Sequence, residues 1–251
     1  MRALVLLLGT LLGFGLGAGA ALADASGKAL GVDQDARAQT KAEIKQLTVG
    51  ADIFIGDRVI TDARGLVQIK FSDSTKLVVG PNSALLIEDY LLRADGSGGK
   101  FAIDALSGTF RFVTGGAPKD RYLITTPTGT IGVRGTGFDF NVHPDHFSLM
   151  LYHGAAVLCN KSNVCVTVDD SCEIGMADLA EAQILGIARE MTRAERDQMR
   201  GMFPYAVNEA GLLGQFRIAQ ARECLIRSVT PPVNDPVSQP GTGQPPRGNS
   251  D

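Results

Sequence analysis

The sequence predicts an all-β domain, a sandwich or roll of short antiparallel strands, followed by a small C-terminal helical segment. Three observations carry that expectation. Apolar and polar residues alternate with period 2 in short runs between Ile44 and Val168. Clusters of turn residues interrupt those runs about every 8 to 12 residues, the rhythm of a sandwich, roll or barrel rather than of βαβ units. After about Cys172 the composition shifts to Ala, Glu, Arg and Met, which favour helix.

The chain has 251 residues, a net charge of −3, 30 glycines and no tryptophan. The nearly balanced charge gives no clustered basic surface of the kind nucleic acid requires. At the start, Arg2 supplies a small positive region and Ala3 to Leu12 is apolar apart from Gly9 and Thr10. A Gly/Ala-rich stretch then ends in Ala21-Leu22-Ala23, whose small residues fit a signal-peptidase site. Residues 1–23 therefore read as a cleaved signal peptide, with an uncleaved anchor as the alternative. No later stretch is long and apolar enough to span a bilayer, so a periplasmic or secreted location is expected.

Residues 24–43 are small, polar and charged and read as a mobile lead-in or a short helix. Residues 44–172 form the β body. Val67, Ile69 and Phe71 share one face, followed after Ser72 to Thr75 by Leu77 and Val79, and after Gly80 to Ser83 by Leu85 and Ile87. The rhythm continues through Phe101 and Ile103, Phe110 and Phe112, Ile131 and Val133, then Phe138, Phe140 and Val142. Phe147, Leu149 and Leu151 run back, and Val164, Val166 and Val168 close the series. Residues 173–227 are expected to be helical over Leu179 to Glu190, Ala194 to Met202 and Val207 to Ile226. Thr192 and Glu195 form a capping-box signature within this region. Six of the eleven prolines crowd into residues 228–251, which read as a disordered tail, either a plain terminus or a tether.

The cysteines Cys159, Cys165, Cys172 and Cys224 are candidates for disulfides, as an even number in an exported chain suggests. Four cysteines permit three pairings. Cys159 and Cys165 flank Asn160 to Asn163, which reads as a hairpin turn, and their pairing would leave Cys172 to reach Cys224. The alternative is a zinc site with His153 as fourth ligand, but the spacing lacks a close C-x₂₋₄-C pair.

Several segments then line up with a known domain. Gly50 to Thr61 contains an apolar strand, Gly56-Asp57, an apolar pair and Thr61. Val67 to Leu77 follows as strand, acidic turn and strand. Tyr122 to Phe138 holds a Thr-Pro corner at Pro127 and then Val133-Arg134-Gly135-Thr136-Gly137-Phe138. Over about residues 47–170 this order resembles the FecR domain. The resemblance implies a β domain and marks Gly56, Asp57, Thr61, Pro127, Arg134, Gly135, Thr136 and Phe138 as its structural motif residues. In the family's best-known setting the domain is the periplasmic part of an iron-uptake regulator, passing a signal from an outer-membrane receptor to a cytoplasmic sigma factor. This sequence departs from that layout, with no cytoplasmic segment ahead of its apolar stretch and no internal span.

Read on their own chemistry, the glycines of these motifs mark sharp turns. Arg134 is expected to form an internal clamp with Asp57 or Asp73, ligand recognition being the alternative. The glycines from Gly129 to Gly137 do not open a helix, and no phosphate-binding loop is present. His143, His146 and His153 fall in one predicted hairpin with Asp145, too few ligands for a complete metal site. No nucleophile elbow or zinc-protease motif occurs. The expected function is thus non-enzymatic and without a cofactor. It is a binding or sensory module of the bacterial envelope whose partner is an envelope protein or a cell-wall polymer. A structural scaffold is the second reading and an enzyme the third.

Overall fold

Short runs of alternating residues cannot bury an apolar face alone, and here they do so by hydrogen-bonding into one sheet that doubles back on itself. The structure is a computed structural model and describes residues 25–33, 35–40, 42–90 and 100–225. The expected signal peptide and Pro-rich tail lie outside the described residues. The strands are β1 (Gly27–Asp33), β2 (Ala36–Gln39), β3 (Ile44–Gln46), β4 (Asp52–Ile53), β5 (Arg58–Thr61), β6 (Leu66–Phe71), β7 (Lys76–Val79) and β8 (Ala84–Tyr90). There follow β9 (Phe101–Val113), β10 (Tyr122–Thr125), β11 (Gly129–Val142), β12 (His146–Asn160), β13 (Cys165–Val168), β14 (Glu173–Asp178) and β15 (Ala182–Ile187). Three short helices close the fold: α1 (Arg193–Met202), α2 (Pro204–Val207) and α3 (Ala221–Leu225).

Three long strands, β9, β11 and β12, serve both layers. In the first layer the early part of β9 pairs with β8 and, in parallel, with β10, while β10 pairs with residues 130–133 of β11. β12 continues that layer, carrying β13. In the second layer the end of β9 pairs with β7 and with residues 137–142 of β11, and β12 then pairs with β14. Each long strand changes layer at a glycine of positive φ: Gly108 (107°), Gly135 (68°) and Gly154 (89°). Such φ values cost a side chain little only when it is absent. The bends also leave no room, since a Cβ on Gly154 would lie 2.3 Å from the Gly135 carbonyl oxygen. Register shifts between Arg134 and Phe138 mark the same corner as a pair of bulges.

The main core lies between the layers. Phe71, Phe101, Phe112 and Tyr122 meet edge-on or tilted, and Phe110 stacks on Phe140 at 4.8 Å. A second core covers the outer face of the second layer. Met150, Tyr152 and Ile174 pack there under Phe203, Ala206, Ile218 and Leu225, and Val78 packs under Tyr205, Leu212 and Phe216.

Three expectations need correction. The described part of residues 24–43 is not a mobile lead-in or helix, because β1 pairs with β6 and β2 pairs with β5. Burial alternates at period 2 through Gly27, Ala29 and Gly31 in β1 and through Ala36 and Ala38 in β2. Glycine and alanine are weak strand signals, however, and only long-range pairing decides the outcome. Leu179 to Glu190 is not helical; Ala182–Ile187 is β15, paired with β14, and Glu190 lies in a turn. Gly186, with φ 132°, disfavours helix there, and the edge of β14 offers a ladder. The described part of Val207 to Ile226 ends at Leu225 and is irregular between α2 and α3 apart from a single turn of 3₁₀ helix at Gly214–Phe216. By contrast, α1 starts on the expected capping box: the Glu195 amide donates to Thr192 Oγ1 and the Thr192 amide to Glu195 Oε2.

Candidate functional site

The family-motif residues divide into those that build corners and one that faces outward. Gly56 has φ 88° and donates its amide to the Ile87 carbonyl. Beside it Asp57, nearly buried, accepts the Phe54 amide at 2.9 Å and closes the turn. Thr61 donates its hydroxyl to the Gly80 carbonyl at 2.5 Å and accepts the Ser83 amide at 3.0 Å, tying β5 to the next corner. Pro127 sits in the β10–β11 turn, where the Thr126 amide donates to the Gly129 carbonyl and the Gly129 amide donates to Thr126 Oγ1. Gly135 and Thr136 form the bend itself, the Thr136 carbonyl accepting the Thr114 amide at 3.0 Å. Phe138 is fully buried in the main core.

Arg134 is not the internal clamp expected of it. Its side chain is exposed, because Val133 before it faces the core and alternation sends Arg134 to the opposite side. The two carboxylates proposed as partners are otherwise engaged. Asp57 holds the Phe54 amide, and Asp73 accepts from the Thr75 and Tyr122 hydroxyls. The latter contact crosses between loops and strand β10. Burial is the main reason the Tyr122 phenol is pushed up to about 12, with Thr75 opposing and Asp73 adding to the shift.

Among the described residues the buried arginine is Arg111, which sequence reasoning missed. It lies on β9 between Phe110 and Phe112, facing the second core, opposite Asp139 on β11. Nε and Nη2 of Arg111 donate to the two carboxylate oxygens of Asp139 at 2.6 and 3.0 Å. Nη1 donates to Glu209, from the C-terminal segment, and Tyr152 donates its hydroxyl to Asp139 at 2.6 Å. The Tyr152 and Tyr205 rings stand 5.4 and 5.6 Å from the guanidinium. Desolvation works against the charge on Arg111, but Asp139 and Glu209 raise its pKa overall. Burial likewise pushes Asp139 upward while Arg111 pulls it back; we assign the pair as ionised, since a neutral Asp139 would forfeit two charge-assisted bonds. This network is sealed from water and clamps the C-terminal segment to the sheet.

A groove opens on the outer face of the first layer, beside Arg134. Its floor is apolar: Leu123, Gly132 and Val157 sit side by side on β10, β11 and β12. Its rim carries Lys100, Arg121 and Arg134, one residue beyond the inward-facing row Phe101, Tyr122 and Val133. Asp120 is the one carboxylate lining it, 3.7 Å from Arg121 Nε. The cavity is open and about 590 Å³. It can hold an anionic group against a strip of hydrocarbon.

Both disulfides pair as the hairpin reading suggested, Cys159 with Cys165 and Cys172 with Cys224. The zinc alternative with His153 is thereby overturned, because no thiolate remains to bind metal. His143 and His146 stack at 4.6 Å, and His146 Nδ1 lies 2.8 Å from Asp145. Among the described residues no cluster of His, Cys, Asp and Glu is arranged to hold a metal ion. Two disulfides suit an oxidising, extracytoplasmic compartment. No helix among the described residues is long and apolar enough to cross a membrane.

Comparison with known families agrees with this geometry. Residues 57–157, which include the Gly-Asp corner's aspartate, the Thr-Pro corner and the Arg134–Phe138 bend, match the family model described as FecR protein. The chain carries a FecR domain. Two crystal structures from Parabacteroides distasonis ATCC 8503, each described as a candidate anti-sigma factor, are similar to it over part of their length. The one at 1.65 Å resolution is 11% identical with a TM-score of 0.40, over 51% of this chain and 57% of that one. The one at 2.50 Å is 10% identical with a TM-score of 0.41, over 59% and 74%. This chain thus spans little more than half of the first. The search of curated proteins found no match. The two layers extend beyond the matched residues 57–157, because β1 pairs with β6, β2 with β5 and β14 with β12.

Proposed function

We propose that this chain is a non-enzymatic binding or sensory module of the bacterial cell envelope, located in the periplasm or outside the cell. Its partner is an envelope protein or a cell-wall polymer, and it meets that partner through the outer face of the first layer. The observation that carries this reading is the position of Arg134. Within a motif whose other residues build corners and core, this side chain points outward, beside two more cations and over an apolar floor. Exposed charge on a rigid sheet is suited to recognition, since its geometry is held by residues that do not move. The FecR domain, the two disulfides and the lack of an assembled catalytic constellation among the described residues support a regulatory rather than a catalytic role.

The test is photo-crosslinking in intact cells. A photoreactive amino acid is placed at Val157 in the groove and, as control, at Arg64, which is far from it in the sequence and largely exposed. A discrete adduct from position 157, absent from position 64, is the expected result. Equal labelling from both positions, or no adduct from either, would refute the reading. A smear of adducts released by muralytic digestion would favour the scaffold reading instead.

A further inference from the structure

We propose that the groove beside Arg134 takes an extended protein segment in which an acidic and an apolar side chain stand two residues apart. This rests on the binding-module reading and names what that module recognises. Lys100 and Arg134 have no ionic or hydrogen-bonding partner among the described residues, and Arg121 meets only its exposed neighbour Asp120. Lys100 immediately precedes β9, Arg121 immediately precedes β10 and Arg134 lies on β11, in neighbouring segments. Such segments are spaced about 4.8 Å, and like charges so placed repel one another unless an anion lies between them. The rim is therefore a standing site for a carboxylate.

The floor supplies the second requirement. Gly132 is two residues before Arg134 on β11, so the two positions share a face about 6.8 Å apart. A Cβ at Gly132 would meet only the Val157 carbonyl oxygen, at 3.9 Å. The missing side chain leaves a notch between Leu123 and Val157, both partly exposed. An extended partner repeats the same spacing, because its side chains at i and i+2 also lie about 6.8 Å apart on one face. Its carboxylate reaches Arg121 and Arg134 while its apolar side chain drops into the notch. An acidic polysaccharide could satisfy the rim, but it has no hydrocarbon side chain for the floor.

The probe is a fluorescein-labelled peptide, Asp-Thr-Leu-Thr-Asp-Thr-Leu, titrated against the full oxidised chain and followed by anisotropy. Saturable binding is expected, weakened about tenfold by the double substitution Arg121→Gln/Arg134→Gln. Replacing both leucines of the peptide by serine should weaken binding by a similar factor, which needs no protein variant. Filling the notch with Gly132→Val should do the same while leaving the charges in place. The proposal is overturned if the serine peptide binds as well as the leucine peptide, if the double substitution leaves affinity unchanged, or if no saturable binding occurs. Polygalacturonate binding as tightly as the peptide would also overturn it, making the groove a general polyanion site. Failure here with a discrete groove crosslink in cells removes the acidic–apolar recognition alone. Peptide binding without any crosslink would instead remove the envelope-partner reading.

Discussion

Arg111→Met is the sharpest test of how the C-terminal segment is held. In the folded protein the side chains of Arg111 and Asp139 are 1% and 0% exposed, and that of Glu209 is 8% exposed. Methionine has the length to fill much of the space between the Tyr152 and Tyr205 rings, so the packing loss is small beside the charge effect. What remains is a carboxylate at Asp139 with only the Tyr152 hydroxyl for company, and a second acid nearby. Removing one partner of a buried pair costs about 3–5 kcal/mol. For a domain of this size that lowers the melting temperature by roughly 10 °C. Adding Asp139→Leu removes the stranded charge, and the double variant should recover about 2 kcal/mol relative to the sum of the single changes. Urea unfolding followed by tyrosine fluorescence is suitable, because the chain has no tryptophan and Tyr152 and Tyr205 flank the pair. A loss under about 1 kcal/mol for Arg111→Met would mean water reaches the network, and the sealed-clamp reasoning would fail.

Other consequences follow from the same geometry. Breaking Cys172–Cys224 with Cys172→Ser/Cys224→Ser opens a loop closed over 52 residues, a loss of about 4 kcal/mol, against about 2 kcal/mol for Cys159–Cys165 closed over 6. Denaturant midpoints of the two double variants should therefore rank in that order, and the reverse order would contradict the entropic reasoning. Gly108→Ala should lose roughly 2 kcal/mol or more, because its φ is 107° and its Cβ would meet Ser83 Oγ at 2.1 Å. Gly132→Ala, whose Cβ would make only an ordinary contact with the Val157 carbonyl oxygen at 3.9 Å, should melt within a degree or two of the parent. On the alkaline side, the phenols of Tyr122, Tyr152 and Tyr205 are all raised, chiefly by burial, so the folded state binds the proton more tightly than the unfolded chain. Their stabilisation is complete below the unfolded value near 10 and falls as pH rises toward about 12, where Tyr122 titrates. Tyrosinate absorbance should thus appear together with loss of near-ultraviolet dichroism; a reversible titration near 10 with the fold intact would contradict it.

Much of the fold was legible because its signals are local. Phe110, Phe112, Phe138 and Phe140 announce the inward face of two strands, and the structure buries all four. The Thr192–Glu195 capping box marks the start of α1, since every atom it needs lies within four residues. The Asp57 side chain closes its turn on the Phe54 amide three residues away, and the Thr-Pro corner is likewise closed by Thr126 on Gly129. The missed elements are those whose fate depends on distant partners. Residues 182–187 include the helix formers Ala182, Gln183 and Leu185 and still form β15, because the edge of β14 is there to pair with.

The candidate site divides along the same line. Alternation by itself determines that Arg111 and Asp139 lie opposite their phenylalanine neighbours, and that Arg134 lies opposite Val133. It does not determine what covers each opposite face, and an uncovered face is the natural expectation for a charged one. Only the tertiary structure decides that Glu209, 98 residues further along the chain, comes back over Arg111, while the face bearing Arg134 stays open among the described residues. The physical reason is one of range. Side-chain direction is a property of a few consecutive residues, but solvent exclusion is a property of everything that packs above them. An arginine on a strand is therefore buried or exposed according to its cover, and in this chain Arg111 becomes a clamp while Arg134 is left open for the recognition proposed above.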